Sequence, residues 1–77
     1  MDIERRASDE FYIEGVGEVR RLTERQQYKA FKRGGRDAYR RAWAFSCGRT
    51  LKEFNRLSAE QQEAIARAYR MLTDDRL

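Results

Sequence analysis

The sequence predicts an all-α protein, a small single-domain bundle of about four short helices with room for a helix-turn-helix. Three observations lead there. Proline is absent, so nothing inside a helical pattern forces a break. Glycine is confined to Gly15, Gly17, Gly34, Gly35 and Gly48, which cut the chain into helix-sized pieces. Thr23 with Gln26, Thr50 with Glu53, and Ser58 with Gln61 each form a capping box, in which a hydroxyl accepts from an orphan amide and the longer side chain reaches back.

The elements follow in order. Ile3, Ala7 and Phe11 recur at helical spacing and predict a first helix, with an extended segment through Phe11, Ile13 and the Gly15-Val16-Gly17 turn as the alternative. Behind Thr23, a helix over residues 24–33 places Tyr28 and Phe31 inward, with Ala30 at their edge, and Arg25, Lys29, Lys32 and Arg33 outward. A helix over residues 36–47 puts Tyr39, Trp43, Ser46 and Cys47 on one stripe, with Trp43 as its main core residue. Gly48 is placed to close it in the left-handed conformation, and Thr50 opens a short helix reaching residue 57. The last helix, over residues 59–72, aligns Ala64, Ile65, Ala68, Tyr69, Met71 and Leu72 on one face. Glu60, Glu63, Arg67 and Arg70 lie opposite, and Glu63 is set to pair with Arg67.

Charge divides the chain into three blocks. Residues 19–56 hold twelve Lys/Arg against three acids, residues 1–18 hold six acids against two Arg, and residues 57–77 are nearly balanced. A basic centre of net +9 calls for an anionic partner. The acidic opening is expected to fold against that centre and neutralise part of it through Asp2, Glu4, Asp9, Glu10 and Glu14. A chain of 77 residues forms one domain and buries only about 60% of its unfolded surface, so stability is small. With one Cys and no His, no intrachain disulfide and no conventional zinc site is expected, and no cofactor is implied. No apolar run suits a membrane span or a signal peptide, which places the protein in the reducing cytoplasm and away from membranes.

Catalytic constellations are missing from the sequence, and the expectation is that the protein is not an enzyme. Without His, neither a Cys-His pair nor a Ser-His-Asp triad is available. The adjacent carboxylates Asp9-Glu10 and Asp74-Asp75 do not converge on one reacting atom, and solvation of element ends is their simpler role. Neither glycine group completes a dinucleotide or phosphate loop.

The run over residues 40–57 resembles a helix-turn-helix: Ala44 where two helices cross, Gly48 in the turn, Thr50 as cap, and Phe54 and Leu57 facing inward with Trp43 and Cys47. Arg49 departs from the motif, which usually has an apolar residue there. The resemblance implies that Thr50, Lys52, Asn55 and Arg56 point outward, with Lys52, Asn55 and Arg56 meeting base edges. Arg25, Lys29, Lys32, Arg33, Arg36, Arg40 and Arg41 would then hold the phosphate backbone, and Arg49 and Thr50 complete the contact set. Plain packing of a helical hairpin is the simpler account of the same run.

Two function classes remain. One is a small basic nucleic-acid-binding protein, a helix-turn-helix DNA regulator in its sharpest form, with duplex DNA ahead of RNA. The aromatics Tyr28, Phe31, Tyr39 and Phe45 would matter for stacking on unpaired bases, although core packing is the plainer role of the first three. The other is a protein-binding inhibitor or adaptor of the kind that mobile elements or phages encode, docking its basic face on an acidic or nucleoprotein surface. Phe45, which falls between Arg41 and Arg49, is its candidate protein contact or else marks a second buried face. A homodimer through the last helix would suit the DNA reading.

Overall fold

The protein, seen in a computed structural model that describes residues 2–74, opens with a sheet and continues with four helices. Strands β1 (Ile3–Ala7), β2 (Glu10–Ile13) and β3 (Gly17–Arg20) form an antiparallel meander in the order β1-β2-β3. Helices α1 (Glu24–Phe31), α2 (Ala38–Ser46), α3 (Leu51–Asn55) and α4 (Ala59–Asp74) follow. The architecture is therefore mixed α and β, which corrects the all-α bundle expected from the sequence. Asp75 of the adjacent carboxylate pair lies outside the described residues.

The correction falls entirely on the first twenty residues. Phe11, Ile13 and Val19 are buried while Tyr12, Glu18 and Arg20 face outward, so the side chains alternate with period two. The pairs Ile3 with Ile13 and Phe11 with Val19 stand opposite each other on the inner face. A bulge between Arg5 and Ala7 shifts the register of β1, and the Arg6 guanidinium lies 4.0 Å above the ring of Tyr12 on the outer face. The β2–β3 connection turns through Gly15 and Gly17, at φ 85° and 117°, conformations that favour glycine.

The helices stand close to where the capping signals put them. All three boxes are formed: Thr23 with Gln26, Thr50 with Glu53 and Ser58 with Gln61 each exchange both hydrogen bonds. In the second, the Thr50 backbone N–H donates to Glu53 Oε1 at 2.9 Å and holds that carboxyl below its ordinary pKa. α2 ends in a Schellman motif, with Gly48 N–H donating to Phe45 O and Arg49 N–H to Ala44 O, as its φ of 73° requires. Nothing stands within 4 Å of a Cβ added at Gly48, so Gly48→Ala carries backbone strain alone. We expect it to lower the unfolding free energy by about 1–2 kcal/mol in urea titrations.

The inner face of the sheet packs on α4. Phe11, Ile13 and Val19 join Ala44, Phe54, Ile65, Ala68 and Leu72 in the main core, and Leu22, Ala30, Ala42 and Tyr69 form a second one. α2 lies between the two: Ala44 faces the first and Ala42 the second, and half-buried Trp43 touches both. Its small residues Ala38, Ala42, Ala44 and Ser46 are buried and allow that close approach. α4 presents the face read from the sequence, with the Arg67–Glu63 pair formed at 3.0 Å on its outer side. That apolar face packs against the sheet and α2 within the chain. Among the described residues, no helix is long and apolar enough to cross a membrane.

Candidate nucleic-acid interface

The basic residues divide into two populations. Four arginines are clamps. Arg21 donates to Leu72 O at 2.8 Å and ties the end of the sheet to the last turn of α4, where carbonyls lack helical partners. Arg40 donates to Asn55 Oδ1 at 2.7 Å and to Gln62 Oε1 at 3.1 Å, with its guanidinium 5.4 Å above the ring of Phe54, so it joins α2, α3 and α4. Arg41 donates to Ala30 O at 2.9 Å and Gly34 O at 3.0 Å, closing the end of α1. Arg49 donates to Val16 O at 3.0 Å across to the β2–β3 turn, and to Cys47 O at 3.3 Å. Beside it, burial pushes the Cys47 thiol up from its ordinary pKa, against the opposing pull of Arg49.

These contacts revise the predicted phosphate set. Arg40, Arg41 and Arg49 are half-buried and have backbone or amide oxygens for partners, so they build the fold first. Two of the outward residues expected on α3 also have partners within the chain. The Thr50 hydroxyl caps α3, Asn55 Oδ1 is held by Arg40, and α3 itself has five residues, a short platform for a groove. Lys52 and Arg56 remain exposed on it. The helix–turn–helix pieces expected around Gly48 are present, and their main role in the structure is packing: Ala44 and Phe54 are fully buried.

The second population faces solvent. Arg25, Lys29, Lys32, Arg33 and Arg36 are all exposed along α1 and the loop to α2. Among the described residues, none of Arg25, Lys29, Arg33, Arg36, Lys52 or Arg56 makes a side-chain hydrogen bond or ion pair. Glu24 and Asp37 bracket the α1 group, at the first position of α1 and before α2. The neutralisation expected from the N-terminal acids reaches Arg20, bonded to Glu10 at 2.6 Å and paired with Glu18 at 3.2 Å. Those two carboxylates push the Arg20 guanidinium further above its ordinary pKa. Among the described residues, no salt bridge engages the α1 cations.

Two tyrosines placed inward from the sequence lie outside. Tyr28 is 68% exposed and Tyr39 61% exposed. The helical wheel explains Tyr28, which sits one turn from both Arg25 and Lys32 and so belongs to the basic stripe; the Lys32 ammonium lies 5.8 Å from its ring centroid. That spacing, rather than the apolar character of the ring, is the sequence signal for its position. Tyr39 stands one turn after Arg36, its ring meeting Phe31 edge-to-face at 5.3 Å. Phe45 is half-buried against the second core and lines an open concavity with Arg20, Thr23, Gln26 and Cys47. It marks the second buried face. Comparison with known proteins gives no matching family model, no matching curated protein and no matching solved structure.

Proposed function

We propose that this protein is a non-catalytic nucleic-acid-binding protein of the cytoplasm whose contact surface is the outer face of α1, the loop over residues 32–37 and the first turn of α2. The observation that carries the proposal is the row of five exposed cations, Arg25, Lys29, Lys32, Arg33 and Arg36, which no carboxylate pairs among the described residues, while Glu10 and Glu18 pair with Arg20. From Arg25 to Lys32 the stripe runs about 10 Å along the helix, the scale of a few consecutive phosphates. Charge of this kind holds a polyanion's backbone without reading its sequence.

The test is fluorescence anisotropy of labelled nucleic acid titrated with the protein at about 50 and 200 mM salt. Engagement of roughly four or five phosphates predicts an affinity loss of about 50- to 500-fold across that range, the lower end for single strands and the upper for a duplex. No binding at the lower salt, or binding indifferent to salt, would overturn the proposal. The basic face would then belong to an acidic protein surface, to be sought by pull-down.

A further inference from the structure

Resting on that nucleic-acid reading, we infer that the strand bound at α1 is unpaired, with its bases stacked on Tyr28 and Tyr39 and its phosphates on the cations around them. Both rings are largely exposed, at 68% and 61%, whereas the other large apolar side chains among the described residues are buried wholly or in part. Phe31 links them: it follows Tyr28 by one helical turn and packs edge-to-face with Tyr39, ring centroids 5.3 Å apart. The edge-to-face contact restrains the Tyr39 ring, so little side-chain freedom remains to be lost on stacking, and its 61% exposure leaves ring surface for a base. Lys32 Nζ stands over one face of the Tyr28 ring, 5.8 Å from its centroid, so a base would stack on the opposite face with Lys32 as counter-charge for a flanking phosphate.

A duplex makes poor use of this arrangement. Paired bases are already stacked on one another and offer side chains only their edges, whereas every unpaired base has a free π-face. The residues that would have read a duplex groove are weakened for that task, since Thr50 caps α3 and Asn55 answers Arg40. Rings set among cations fit an unpaired strand in both of its parts, base and backbone.

The experiment compares the full chain with its Tyr28→Ala, Tyr39→Ala, Tyr28→Phe and Tyr39→Phe variants on oligo-dT and oligo-rU of about 12 nucleotides and on a random duplex of similar length. The expected result is tighter binding of the single strands than of the duplex. Each Ala variant should weaken single-strand binding by about 5- to 150-fold, with the salt slope and the duplex affinity unchanged. The Phe variants keep the ring and should bind as the parent does, and the tighter of the two oligonucleotides identifies the sugar. Ala variants that bind single strands like the parent, with the helical circular dichroism intact, would overturn stacking while leaving backbone binding in place. Loss of duplex and single-strand binding alike in the Ala variants would also overturn it. Absence of binding to any of the three at about 50 mM salt would remove both this inference and the reading beneath it.

Discussion

Phe54→Ala is expected to lower the unfolding free energy by about 3–5 kcal/mol. Phe54 is fully buried where the sheet, α2 and α4 meet, and three separate partners depend on its ring. Trp43 lies 6.1 Å from it at a tilted angle, the Arg40 guanidinium sits 5.4 Å above it, and the aliphatic core of β2, β3 and α4 surrounds the rest. Removing the ring opens a cavity that two flanking elements cannot close independently. α3 is fixed at one end by the Thr50 capping box and braced at the other by Arg40, and α2 is pinned between two cores. The whole domain is worth only about 4–12 kcal/mol by the usual per-residue scale, so the variant should be largely unfolded at moderate temperature. Urea titration followed by Trp43 fluorescence measures this directly. A loss below about 1.5 kcal/mol would show that α3 is loosely attached and that the core centres elsewhere.

Helix positions were legible in this sequence because hydrogen-bond chemistry marked them. Thr23, Thr50 and Ser58, each with Gln or Glu three residues on, and Gly48 as the left-handed stop, are local signals that tertiary packing had no reason to override. The sheet was not legible for a physical reason. Its strands have four or five residues, β1 offers a single strongly apolar residue in Ile3, and the spacing of Ile3, Ala7 and Phe11 fits a helical face as well as two strands. The glycine-flanked turn between Ile13 and Val19 was the cue that outweighed it in the fold. For the proposed interface, charge pointed to the region, and only the fold could sort its arginines. Arg40, Arg41 and Arg49 are indistinguishable in the sequence from Arg25 or Arg33 until the carbonyl and amide oxygens of other elements stand beside them.

That sorting makes a double prediction with a large effect on each side. Replacing Arg25, Lys29 and Lys32 together with Gln is expected to cut nucleic-acid affinity roughly a hundredfold at about 50 mM salt and to flatten the salt dependence by two to three phosphates, about 2–3 in log–log slope. Stability should change by no more than about 0.5 kcal/mol, because these side chains touch no carboxylate and the helix retains good formers. Arg41→Gln should do the reverse. It leaves Ala30 O and Gly34 O without their donor, at a cost of about 1–3 kcal/mol, while the slope of the binding curve stays where it was. The two measurements, urea unfolding and salt-dependent anisotropy, thus separate the cations that build the domain from those proposed to hold a nucleic acid. A triple variant with the parent's slope would move the contact surface off α1, toward Lys52 and Arg56 on α3.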